Sequence, residues 1–127
     1  RPSITFEQLS KKPMIMLDLP YTHDYFFGLF RARGLEPDVA HSTRSSEIAK
    51  ALVEGDFGFT LLNIRPRNYS PKDSRYSVVP ISDSSDVPVF GISTTGNLRQ
   101  PKNVRSFIKI CTKLRDDGIF DSCTVTA

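Results

Sequence analysis

The stretch from Pro37 to Pro66, PDVAHSTRSSEIAKALVEGDFGFTLLNIRP, admits few folds. A short extended run, Pro37–His41, leads into hydroxyls at Ser42 and Thr43 that can cap a helix. Ile48, Ala51 and Leu52 then recur at three- and four-residue spacings, giving a helix from about Arg44 to Glu54 one buried face. Gly55 stops that helix, at the left-handed position that commonly closes a last turn. Phe57–Leu62 follows as a further strand, with Gly58 allowing a neighbouring helix or chain to approach closely. Strand, helix, strand with links this short is a parallel β-α-β unit.

The chain before Pro37 uses the same grammar. Met14–Asp18 is a strand with almost no polar interruption, the pattern of a strand covered on both faces. In LPYTHDYFFGLFRARG, Thr22 can cap a helix and Asp24 sits in the first turn, where the dipole favours negative charge. Tyr25, Phe26, Leu29 and Phe30 give that helix an apolar face, Phe27 widens it, and Gly34 ends it behind Arg31 and Arg33. Gly28 costs the helix interior about 1 kcal/mol against alanine, which close packing against a neighbour would explain. Residues 1–13 read as a linker with one helical turn at Phe6–Ser10.

Beyond Leu62 the regularity breaks. Asn63–Arg75 is a proline-rich, charged loop, and Tyr76–Ile81 and Val87–Thr94 read as two strands near a sheet edge, because Pro80 and Pro88 cannot donate to a ladder. Pro101 opens a last helix in which Val104, Phe107, Ile108, Cys111 and Leu114 form the clearest amphipathic pattern in the chain. Asp116-Asp117-Gly118 ends it, and residues 119–127 form a tail. The expected class is α/β, a mostly parallel sheet with flanking helices.

Composition narrows the function classes. At 127 residues the chain makes one domain with a core able to fold unaided. No apolar run approaches the ~18 residues of a membrane span, so no membrane partner is expected. The chain begins at Arg1, which reads as processing or trimming, and the run Met14–Leu19 is too short for a signal peptide. The net charge is +3, with Lys and Arg scattered rather than gathered on one patch, so this part of the protein is not expected to read DNA. Cys111 and Cys123 lack the paired spacing of a zinc site, and neither metal nor cofactor is expected. Cys111 falls on the apolar face of its helix; a Cys111–Cys123 disulfide stays open. Asn68-Tyr69-Ser70 matches a glycosylation sequon, with nothing else pointing to secretion.

The glycines stand singly, and no phosphate loop, nucleophile elbow or metalloprotease motif occurs. His23 beside Asp24 is a weak acid–base pair, since adjacent helical residues point in different directions. Binding remains. In an open parallel sheet, ligands sit at the carboxyl ends of the strands, against helix N-termini. Three such ends are Leu19–Thr22, Ser42–Ser45 and Asn63–Arg65. They nominate Pro20, Tyr21, Thr22, Ser42, Thr43, Ser45, Asn63 and Arg65 as ligand-binding residues, with Arg44 close by. Helix N-termini beside hydroxyls and an arginine suit a small anion such as a carboxylate. The plainer alternative is that Thr22, Ser42 and Thr43 only cap helices.

The order MIMLDLPYTHDYFFGLFRARGLEPDVAHSTRSSEIAKALVEGDFGFTLLNIRP resembles the effector-binding region of LysR-type transcriptional regulators. The likeness lies in a helix ending RARGLEPDVA, then SSEIAKALVEGDFGFTLLN, followed by VVPISD, VPVFGIST and PKNVRSFIKICTKL. It spans about Ser3 to Leu114 and rests on order and spacing. Where many members follow the glycine junction with Leu-Pro, this chain has Leu62-Asn63-Ile64-Arg65-Pro66, a more polar cleft floor.

The resemblance implies a type II periplasmic-binding-protein-like lobe over about residues 1–95, a helix within 96–118 returning to the other lobe, and a small organic or aromatic acid bound between lobes. It also implies an N-terminal DNA-binding domain outside this chain, a dimer or tetramer, and a bacterial cytoplasmic home. Phe26, Phe27 and Phe30 would then reach a partner subunit. Two alternatives stand beside this expectation: a lobe of a periplasmic solute-binding protein for transport, and a small α/β enzyme using His23 or His41.

Overall fold

The structure, a computed structural model, describes residues 2–63, 70, 72–84, 91–96 and 99–121. Its centre is β1 (Pro13–Leu17), in which Met14, Ile15 and Met16 are fully buried. β2 (Asp38–Thr43) runs parallel to β1, with Pro13 opposite Asp38 and Leu17 opposite Thr43, and one irregularity between Met14 and Ile15. On the other edge of β1, Phe59 makes a parallel bridge to Met14: its N–H donates to the Pro13 carbonyl and its carbonyl accepts from Ile15 N–H. The expected strand over Phe57–Leu62 is thus reduced to a single bridge. The flanking segments therefore lie β2, β1, then residues 57–61, the order produced when a crossover helix carries the chain across the first strand.

Successive side chains of a strand face opposite ways, and both faces of β1 are covered, as its composition implies. On one face Met14 and Met16 join Phe6, Leu9, Phe26, Phe30 and Leu61 in the main core. On the other, α3 (Ser46–Glu54) packs on both strands and buries Ala49. The buried face of α3 differs from the sequence reading: Ala49 is buried and Leu52 and Val53 are half-buried, while Ile48 is 54% exposed and Ala51 is also exposed. The helix is rotated about one residue from the face marked by Ile48, Ala51 and Leu52. Its cap is also later than expected, because Ser42 and Thr43 continue β2 and Ser45 accepts the Ile48 N–H.

The N-terminal segment is structural rather than a linker. α1 (Phe6–Ser10) has a complete capping box, with Thr5 Oγ1 accepting from Gln8 N–H and Gln8 Oε1 accepting from Thr5 N–H. It inserts Phe6 edge-on against Phe30 of α2 (Thr22–Arg31), with ring centroids 5.0 Å apart. Asp83, distant in sequence, accepts from Phe6 N–H at 3.1 Å and faces the Arg33 guanidinium, which also lies 4.4 Å over the Phe6 ring. Ile4 and Ile81 bridge in parallel beside this knot. Of the strand expected at Tyr76–Ile81, that bridge is the part formed: the Pro80 carbonyl accepts from Ile4 N–H, but a proline has no N–H to continue a ladder. Half of Val87–Thr94 lies outside the described residues, and 91–94 carry no strand.

The helix ends share one device. After α2, Gly34 (φ 67°) donates to Arg31 and Leu35 donates to Phe30, the paired bonds of a Schellman closure. After α3, the same two bonds place Asp56, not Gly55, in the left-handed position (φ 64°). Gly55 itself has an ordinary φ of −82°, and a Cβ there would stand 2.9 Å from the edge of the exposed Phe57 ring, which would have to shift. Gly58 does permit close approach: a Cβ on it would fall against the Pro13 carbonyl. Gly28, by contrast, has nothing within 4 Å of a would-be Cβ, so close packing does not explain it. α4 (Lys102–Asp116) has the expected bounds, but none of its residues is buried and it makes no extensive packing on another helix or strand among the described residues. Cys111 is half-buried and free; Cys123 lies outside the described residues.

Candidate functional site

The loops that leave β1 and β2 are held side by side. Asp18 N–H donates to the Thr43 carbonyl at 2.8 Å, carrying the parallel pairing one step past the strand ends. Immediately beyond, Leu19-Pro20-Tyr21-Thr22 makes a tight turn closed by Thr22 N–H to the Leu19 carbonyl at 3.1 Å. Proline at the second position and a left-handed third residue are the marks of a type II turn. The left-handed residue here is Tyr21 (φ 66°), where glycine or asparagine is the usual occupant. Such a placement costs on the order of 1–3 kcal/mol. Tyr21 is also the N-cap of α2 with no capping side chain, and it is 91% exposed. Thr22 is therefore the first helical residue rather than the cap that its sequence suggests.

Across the gap, Thr43 Oγ1 accepts from Ser45 N–H at 3.2 Å, and Ser45 in turn caps α3. Arg44 between them projects to the surface. Together the two loops form an open hollow of about 400 Å³ lined by Asp18, Leu19, Pro20, Tyr21, His23, Asp24 and Arg44. Its charges are mixed. His23 Nδ1 lies 3.3 Å from Asp24 Oδ1, and the His23 ring rests on Phe27 with centroids 4.5 Å apart. Among the described residues, Asp18 and Arg44 form no ion pair with each other or with anything else.

Of the residues nominated from sequence, Pro20 and Tyr21 line the hollow. Thr22, Thr43 and Ser45 neighbour lining residues in sequence but do not line it themselves; Thr43 and Ser45 use their hydroxyls on the local backbone. Ser42 is the penultimate residue of β2, paired with Met16. Asn63 is exposed two residues past the buried Leu61, and Arg65 lies outside the described residues. Asp18 was missed because it reads as the end of an apolar strand; its value as a site residue comes from being the first side chain past the sheet. Phe26 and Phe30 are buried in this chain's own core; Phe27 also packs against that core but is only half-buried, with Arg31 5.2 Å over its ring, and is the most accessible of the trio.

No cluster of metal-ligating side chains and no helix long and apolar enough to cross a membrane occurs among the described residues. No curated protein matches the chain. Among solved structures, HinK, a LysR family transcriptional regulator from Pseudomonas aeruginosa, is similar with 29% identity and a TM-score of 0.68 over 87% of this chain and 39% of that one. The C-terminal domain of a probable LysR family transcriptional regulator from Rhodococcus sp. RHA1 is similar with 25% identity and a TM-score of 0.72, over 88% of this chain and 56% of that one. The chain thus spans about two-fifths of the first of these structures and just over half of the second. The family model of the LysR substrate binding domain matches residues 1–115. With that match over most of its length, and with parallel strands and flanking helices of the type II periplasmic-binding-protein kind, the chain belongs to the LysR substrate binding domain family.

Proposed function

We propose that this chain supplies one lobe, about residues 1–95, of the effector-sensing domain of a bacterial LysR-type transcriptional regulator. In this reading α4, within residues 96–118, returns to the other lobe, and residues 119–127 form the tail. The observation that supports it most is the hollow at the carboxyl ends of β1 and β2, bounded by Pro20, Tyr21 and Arg44, which has no ion-pair partner among the described residues, in a chain of this family. A small organic acid seats its carboxylate between Arg44 and the start of α3, where the helix dipole favours negative charge. Asn63, exposed two residues past the buried Leu61, adds a polar group beyond the other edge of β1, and Arg65 is assigned to the same floor from sequence order alone. The role is binding rather than catalysis. Occupancy changes how a dimer or tetramer in the cytoplasm engages DNA through a domain outside this chain, with Phe27 rather than its buried neighbours meeting the partner subunit.

The test is a titrated reporter assay in the full-length regulator. Asn63→Ala, at an exposed position, and Thr43→Ala should each shift the effector response at least several-fold while the thermal midpoint stays within a few degrees. Full response in both variants overturns the assignment of these loops.

A further inference from the structure

We propose that the hollow takes a zwitterion, an amine-bearing carboxylic acid with an apolar or aromatic side chain, rather than a simple carboxylate. This rests on the effector-binding reading above and names the ligand class of that same site. The starting point is where the two charges stand. Asp18 is the first residue past β1 and Arg44 the first past β2, and the Asp18 N–H to Thr43 carbonyl bond at 2.8 Å keeps their loops adjacent. Both side chains line the hollow, yet neither is paired with the other or with a third described residue. Opposite charges that share a cleft without neutralising each other are complementary to a molecule carrying both signs.

A simple acid fits this arrangement poorly. Seated on Arg44, it would bring its charge toward Asp18 and toward Asp24, whose one side-chain partner among the described residues is the His23 ring at 3.3 Å. A simple amine on Asp18 would meet Arg44 in the same way. A molecule with an ammonium toward Asp18 and a carboxylate toward Arg44 satisfies both, and the start of α3 at Ser45–Ser46 reinforces the carboxylate end. Beside His23 and Asp24, the rest of the wall is Leu19, Pro20 and Tyr21, two apolar side chains and an aromatic one. Tyr21 holds a left-handed backbone conformation with its ring exposed to solvent, so the strain serves no packing inside this chain. A side chain laid against that ring is the contact such a placement would support.

The experiment uses three probes that differ only in charge: phenylalanine, 3-phenylpropanoate and phenethylamine, each titrated into the full 127-residue chain while backbone amide resonances are followed by NMR. Phenylalanine should shift residues 18–24 and 44 saturably, with the acid and the amine each binding at least tenfold more weakly. Asp18→Asn should abolish the preference for phenylalanine over 3-phenylpropanoate, and Arg44→Gln should abolish its preference over phenethylamine. Equal binding of 3-phenylpropanoate and phenylalanine by the unaltered chain overturns the inference and leaves an acid-binding site. No shift in these residues from any of the three probes also overturns it. The effector-binding reading stands or falls separately, on the reporter response of the Asn63 and Thr43 variants.

Discussion

β1 and α4 carry the two strongest hydrophobic signals in the chain and meet opposite fates. β1 has five residues, and four of them are buried. α4 has fifteen, with an apolar stripe longer and more regular than any other, and buries none. Phe107 is 60% exposed, whereas Phe30, a comparable ring on α2, is fully buried. A periodic apolar face states that a helix will cover something; it does not state whether the covering surface belongs to the same stretch of chain. β1 was safe to read because its partners, α1, α2 and α3, lie within about forty residues on either side and short connections keep consecutive elements adjacent.

The largest expected effect sets these two phenylalanines against each other. Phe30→Ala removes a ring packed edge-on to Phe6 inside the main core and should cost about 3–5 kcal/mol, read from urea unfolding of the chain. Phe107→Ala should change the same measurement by less than about 0.5 kcal/mol, as an exposed substitution does. Comparable losses in the two variants would mean that α4 is packed within this chain after all, and the contrast would collapse.

A middle-sized effect tests the loop just past β1. Tyr21 occupies a left-handed turn position that asparagine tolerates better. Tyr21→Asn should therefore stabilise the chain by about 0.5–1 kcal/mol, a fraction of the strain such a residue stores. The ring that is lost is exposed and supports no core contact, so nothing offsets the gain. A destabilised variant would show that the ring holds the turn, and Tyr21 would then belong with β1's packing rather than with the hollow.

How much of this could be read from sequence follows the same division. The parallel β-α-β unit, the two-sided burial of β1, the bounds of α4 and the strand-end location of the hollow all depend on local periodicity and short links, and these the residues state directly. The errors came from features decided by a partner. Thr5, Ser45 and Tyr21 occupy the N-caps of the three N-terminal helices, yet Thr22, Ser42 and Thr43 look equally suitable until the end of each strand is known. Gly55 looks like a left-handed stop, but the helix runs one residue further before turning and Asp56 takes that position instead. The Arg33–Asp83 contact joins residues fifty apart, and no local pattern announces it. Asp18, as a candidate site residue, was hidden for a related reason: its importance lies in which residue of β2's loop stands opposite.

The smallest effect concerns α3, the helix that covers the second face of β1. Lys50 Nζ lies 2.8 Å from Glu47 Oε1, and that hydrogen-bonded carboxylate holds the Lys50 pKa above its ordinary value, with burial pulling the other way. A raised folded-state pKa means that the folded chain holds this proton more tightly than the unfolded one. The stabilisation is then fully present below the ordinary lysine pKa of about 10.4 and is lost as pH rises through the folded value. Glu47 is largely exposed, so the pair contributes only about 0.3–0.5 kcal/mol. Lys50→Gln should lower stability by that amount near pH 8 and by nothing measurable once the pH has passed the raised folded-state value. The decisive comparison is the difference between variant and parent at the two pH values. A difference that persists at high pH would locate the contribution in the lysine's aliphatic stem lying along α3, not in its charge, and the cover over β1's second face would then be apolar throughout.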